Sequence, residues 1–139
     1  MHKAKAVVVG CIDFRFRSFI DKYLHEQEFG DSYDLISVAG GSRDFIVPVE
    51  ENDGRYAWKQ LELSLKLHDP DMIIFVDHQD CGGYAQDGTI PGGLEVEDDK
   101  QKHLAFLKEL KVILLSKYPE KVVKAFHADF EGNVHALEI

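Results

Sequence analysis

This 139-residue sequence holds two cysteines, and one of them, Cys81, follows His78 by three positions in Asp77-His78-Gln79-Asp80-Cys81-Gly82-Gly83. Imidazole nitrogen and thiolate sulfur are donors that zinc takes; a structural site fills four positions with protein, whereas a catalytic one keeps a position for water. Ligands three residues apart can grip one ion from a tight turn, and Gly82 and Gly83 free the backbone to make such a turn. Cys11 is the third candidate donor. The trio leaves a fourth position open unless Asp13 or a further histidine closes it. On its own an H-x-x-C spacing is weak, because free cysteine is among the most buried residue types and a histidine there serves equally well as a capping group.

Where the trio ends up depends on how the chain delivers it. Val7, Val8 and Val9, closed by Gly10, read as a strand buried on both faces. Phe16, Phe19, Ile20, Tyr23 and Leu24 recur at helical spacing and predict a helix from Phe16 to about Gln27, with Gly30 beyond its end. "DLISVAGGS" reads as a strand entering a glycine turn. A mostly buried helix is expected from about Arg55 to His68, because the residue ahead of Pro70 resists helical geometry. "MIIFVD" is a third strand, Asp98 to Tyr118 a second long helix, and "VVKAFHAD" with "VHALEI" a fourth strand turning back through "FEGN" into a fifth.

The alternating order predicts an α/β fold with a mainly parallel central sheet of four to five strands and flanking helices. The length suits one domain, residues 1–139. Parallel strands deliver their carboxyl ends to one edge, where open α/β sheets bind ligands. The loops "GCIDFRF", "AGGSRDF" and "DHQDCGGY" therefore meet, and Cys11, His78 and Cys81 with them.

Composition narrows the function. A net charge of −9 argues against a partner recognised through its phosphates, so nucleic acid is not expected. No run is long and apolar enough for a membrane span or an export signal, so the expected setting is the cytoplasm, where cysteines stay reduced and serve metals or catalysis.

The segment Cys11-Ile12-Asp13-Phe14-Arg15 supplies the second half of a pattern. C-x-D-x-R after the first core strand and H-x-x-C-G after a later one resemble the two signatures of the β-class carbonic anhydrases. "VAGG" between them is similar to that family's glycine turn, and "FHADFEGNVHALE" to its closing hairpin. The resemblance runs from Val7 through most of the chain. It implies Zn2+ held by Cys11, His78 and Cys81, with Asp13 and Arg15 as a catalytic dyad beside the fourth position. It also implies reversible hydration of carbon dioxide to bicarbonate by a zinc-bound hydroxide, and a homodimer or higher homo-oligomer. Two thiolates cancel the ion's charge, so a bound water needs help from another group; a carboxylate at Asp13, held off the metal by Arg15, would give it. If that pair broke, Asp13 could itself take the fourth position. Backbone amides at Gly40 and Gly41 are expected to face a developing carboxylate oxygen of the substrate.

The sequence also departs from the family. Phe14 replaces the usual serine between Asp13 and Arg15, a large ring expected to crowd the dyad or reshape the pocket, and Ser37-Val38 replaces the usual Arg-Asn. With ten residues before Cys11, the amino-terminal helices that wrap a partner in many members are not expected. Phe14, Phe16, Phe45 and Tyr84 are pocket, interface or core residues. The remaining histidines, His103 and His127 among them, are expected to be surface or hydrogen-bonded groups, "EVEDD" a solvated loop at a helix start, and Arg43 with Asp44 a local salt bridge. Two alternatives stand beside hydration of carbon dioxide: another small electrophile such as carbon disulfide or carbonyl sulfide, and a non-catalytic homologue whose acidic surface binds a protein.

Overall fold

In a computed structural model describing residues 2–139, five strands form one sheet in the order β2-β1-β3-β4-β5. They are β1 (Ala6–Gly10), β2 (Tyr33–Ser37), β3 (Met72–His78), β4 (Val122–Ala128) and β5 (Val134–Leu137). The first four run parallel, and β5 returns antiparallel to β4. This is the α/β arrangement that the alternation of apolar runs predicts. The helices are α1 (Arg17–His25), α2 (Arg43–Ile46), α3 (Glu51–His68), α4 (Gly82–Ala85) and α5 (Val96–Lys117).

The period of two along a strand sends neighbouring side chains to opposite faces, and each face has its own apolar layer. Val7, Val9, Ile73 and Phe75 pack with Leu61 of α3 and with Leu107, Leu110 and Leu114 of α5. Val8, Ile74, Val76 and Phe126 pack on the other side with Phe16, Ile20 and Leu24 at the start and along the length of α1. Because β1 lies between β2 and β3, the chain leaves it in opposite directions for its two neighbours, which opens a crevice beyond the carboxyl ends of β1 and β3. Cys11 follows the first of those ends and His78 closes the second.

Three local features differ from expectation. Helix α3 starts at Glu51, four residues before Arg55, because Glu50 and Asp53 form a reciprocal capping box in which the Glu50 N–H donates to Asp53 Oδ2. Arg43 does not pair with Asp44. Its guanidinium is buried and donates to Asp87, Thr89 and the carbonyls of Val47, Gly83 and Tyr84, which staples α2 to the turn after β3. "EVEDD" is not a solvated loop throughout: Asp99 lies inside the first turn of α5 and is fully buried.

Candidate metal centre

The sheet edge assembles the three sequence-predicted donors. Cys11 Sγ and Cys81 Sγ are 4.0 Å apart, and one ligand atom from each of Cys11, His78 and Cys81 lies within 4.8 Å of the others. Two sulfurs on a tetrahedral zinc would be about 3.8 Å apart, given bonds of about 2.3 Å. His78 is 1% exposed. Its Nδ1–H donates to the Gln79 carbonyl at 2.7 Å, which leaves the Nε2 lone pair free, and Nε2 has no hydrogen-bond partner among the described residues. An acceptor orphaned in the interior beside two sulfurs is a donor atom of the kind that a cation can take.

Charge is distributed to suit a cation. The Cys11 thiol is driven well below its usual range, chiefly by the hydrogen bond from Cys81 and further by His78, against the opposing effect of burial. Cys81 is correspondingly driven up by that shared proton and by burial. The shared proton thus pushes the two thiols in opposite directions. Burial would lower the pKa of His78, but Cys11, the Gln79 carbonyl and Asp13 together outweigh it and raise the value.

The backbones that carry the two sulfurs and the glycine turn approach closely. Loops after β2 and β3 touch so tightly that a Cβ on Gly83 would sit 2.5 Å from both Gly40 N and Gly40 Cα. Gly40 itself has φ of 86°, in the left-handed region that favours glycine. The Gly40 N–H donates to Cys11 Sγ at 3.4 Å, and the Gly41 N–H to the Val38 carbonyl at 3.0 Å. These two amides are therefore not free to face a substrate oxygen, as expected from the sequence; one stabilises the thiolate and the other closes the turn.

Asp13 and Arg15 form a bidentate pair. Arg15 Nε lies 3.0 Å and 3.1 Å from the two Asp13 oxygens, and Nη2 lies 2.6 Å from Oδ2. Asp13 Oδ1 also accepts from the Arg15 backbone N–H, capping a short 3-10 turn over Phe14–Phe16. These bonds from Arg15 lead the causes that hold the Asp13 carboxyl below its usual range. The same carboxylate lies 3.8 Å from His78 Nε2, beside the space that the three donors face. Arg15 is gripped in turn by Asp80, through Oδ2 at 3.2 Å and the backbone carbonyl at 3.1 Å. From the β4–β5 hairpin, Phe130 covers the guanidinium, with Cζ 5.1 Å from the ring centroid. Phe16 stacks on His78 with centroids 4.3 Å apart.

A cleft of about 400 Å³ opens at this point, lined by Cys11, Ile12, Phe14, Ala39 and Gly82 together with the Asp13–Arg15 pair. Phe14 does not crowd the pair. Its ring turns outward, 86% exposed, and forms part of the rim. Phe45 belongs to the core, and Tyr84 is buried with its hydroxyl 2.8 Å from Ser42 Oγ.

A family model described as "putative carbonic anhydrase" matches residues 1–138. The chain belongs to this carbonic anhydrase family. Two relatives span nearly all of it: an uncharacterized protein of Rickettsia conorii, 28% identical over 99% of this chain and 74% of its own length, and one of Rickettsia bellii, 24% identical over 99% and 84%. Among solved structures, a tetrameric β-carbonic anhydrase from Sordaria macrospora superposes with a TM-score of 0.62 at 14% identity, covering 100% of this chain and 83% of that one. The carbonic anhydrase of Streptococcus mutans does so with a TM-score of 0.55 at 17% identity, covering 99% and 83%. At such identities the likeness establishes the fold, a divergent form of the β-carbonic anhydrase architecture. No helix among the described residues is long and apolar enough to cross a membrane.

Sequence reasoning missed a second cluster just behind the centre. Asp77, Asp99, His103 and His127 are each 2% exposed or less and bonded to one another. Their signal lay in the pattern: Asp77 directly continues a buried strand, and Asp99 and His103, four apart, share one face of α5.

Proposed function

We propose that this chain catalyses the reversible hydration of carbon dioxide to bicarbonate, with one zinc ion held by Cys11, His78 and Cys81. The observation that carries this reading is the orphaned His78 Nε2, fixed in its tautomer by Gln79 and facing two sulfurs at a spacing that suits a tetrahedral ion. Zinc, when bound, would acidify a water molecule and present it as a nucleophile. The chain's own residues do the rest. Asp13 Oδ2 lies where it would accept a hydrogen bond from a water at the open position and orient it. Arg15 keeps Asp13 ionised and turned away from direct ligation. The largely apolar wall of Ile12, Phe14 and Ala39 suits a small uncharged substrate better than a charged one.

Ile12 and Phe14 stand 60% and 86% exposed at the cleft mouth, which favours a homodimer or larger homo-oligomer that covers them. Reduced thiols as ligands fit the cytoplasm. Stopped-flow hydration of carbon dioxide by zinc-loaded protein, with metal measured on the same sample, tests the reading. The expected result is about one zinc per chain and a hydration rate above buffer, reduced on the order of 100-fold in Asp13→Asn with zinc retained. Fully loaded protein that hydrates no faster than buffer would sink it.

A further inference from the structure

The buried cluster behind the metal centre reaches the Asp13–Arg15 pair through one backbone link. His127 Nε2 lies 2.7 Å from Asp99 Oδ2, and His103 Nδ1 lies 2.7 Å from Asp77 Oδ2. Asp77 also accepts from the Ser42 hydroxyl at 2.6 Å, so β3, β4, α5 and the start of α2 converge on one sealed set of polar groups. These side chains include a candidate ion site, Asp99, His103 and His127, with ligand atoms within 4.8 Å of one another. Their spacing favours hydrogen bonds instead. Oxygen and nitrogen on one tetrahedral ion stand about 3.4 Å apart, from bonds of about 2.1 Å, whereas the His127–Asp99 separation is the length of a strong hydrogen bond. His103 Nε2 lies 3.4 Å from the same Oδ2, a separation that an ion would also give, and neither it nor His127 Nδ1 has a hydrogen-bond partner among the described residues.

With Oδ2 held by His127, the other oxygen of Asp99 is turned toward the metal turn, where Oδ1 accepts the Asp80 N–H at 3.3 Å. Asp80 has φ of 57°, a left-handed backbone that a residue with a Cβ adopts only when its surroundings impose it. The Gly93 N–H, donating to Asp80 Oδ1 at 3.0 Å, fixes the side chain from the opposite side. In this conformation Asp80 offers both its carbonyl and Oδ2 to the outer edge of Arg15. The inner edge of Arg15 holds Asp13. We infer that Asp99 is a positioning residue for the Asp13–Arg15 pair, acting through the backbone of Asp80. This rests on the proposed metal centre. Without a side-chain acceptor at position 99 the Asp80 turn would relax, Arg15 would lose its outer anchor, and Asp13 would be free to close the position needed by an exogenous ligand.

Cobalt-substituted protein titrated with thiocyanate tests this by visible absorption, a readout of who occupies the fourth position rather than of turnover. Asp99→Ala is expected to weaken thiocyanate about tenfold or more, the scale of one or two lost hydrogen bonds. Adding Asp13→Asn should restore the affinity to that of Asp13→Asn alone. Asp99→Asn, which can still accept the Asp80 N–H, should stay near wild type. If Asp99→Ala does not fold, Asp99→Ser, whose shorter side chain also lacks the carboxylate, is held to the same two criteria. Unchanged thiocyanate affinity, or a loss that Asp13→Asn does not restore, overturns the positioning role alone. A second cobalt equivalent that vanishes in His127→Ala overturns it too, by making the cluster an ion site. Wild-type protein lacking thiolate-to-cobalt charge-transfer absorption would instead overturn the metal centre, and this inference with it.

Discussion

Two clusters of histidine with anionic partners lie within one turn of chain of each other, and they have opposite chemistry. At the edge, Cys11, His78 and Cys81 leave His78 Nε2 without a hydrogen bond, beside a cleft. Behind it, Asp77, Asp99, His103 and His127 are sealed from solvent and pair at 2.7 Å, His103 with Asp77 and His127 with Asp99, while His103 Nε2 and His127 Nδ1 keep no hydrogen-bond partner among the described residues. The difference is one of donor type and distance. Sulfurs 4.0 Å apart stand near the spacing of two thiolates on one ion, whereas a carboxylate and an imidazole at 2.7 Å are at the length of a strong hydrogen bond. Residue composition alone does not separate a metal site from a structural network; the spacing of the donor atoms does.

The sharpest way to break this contrast is to remove one sulfur. Cys81→Ser should drop zinc from about one equivalent per chain to a small fraction of that, read by elemental analysis after dialysis; undiminished metal would mean that the edge cluster is not the site. The reverse experiment acts on stability. His127→Ala strips Asp99 of its closest partner and should destabilise the fold by about 3 kcal/mol in urea unfolding while leaving zinc content as it was. Metal loss without a stability change would exchange the roles of the two clusters. A smaller effect is expected where only the frame between the edge loops is altered. Gly83→Ala forces a Cβ to within 2.5 Å of the Gly40 backbone and should cost about 2 kcal/mol with weakened zinc binding. Gly82→Ala meets nothing within 4 Å and should stay within about 0.5 kcal/mol of wild type, so equal effects at the two positions would show that close approach does not set the sulfur spacing.

The edge cluster was legible in the sequence because its ingredients are rare and punctuated. Parallel strands bring the two cysteines to one edge, but it was the resemblance of C-x-D-x-R with H-x-x-C-G to a known family that gave them weight over an ordinary buried-cysteine reading. The sheet, its parallel order and the returning fifth strand followed from the same alternation. The buried cluster was illegible for the opposite reason. Asp99 sits among Glu97 and Asp98, whose side chains match an ordinary solvated helix start, and only the rotation of α5 turns it inward. His127 has a buried strand position, yet its partner is 28 residues away, and no local pattern gives that pairing. Arg43 shows the same limit: the adjacent Asp44 suggested a local partner, but the guanidinium crosses to Asp87, a tertiary choice made by the packing of two loops.

The β4–β5 hairpin carries a consequence for the order in which the centre is built. Every candidate ligand has left the ribosome well before Phe130, the ring that lies over Arg15 and against Phe16. A nascent chain can therefore gather its thiols around a cation while the arginine that aims the carboxylate is still uncovered. Gathering the three donors and covering Arg15 are thus separable events along the chain, the second waiting on the hairpin that carries Phe130.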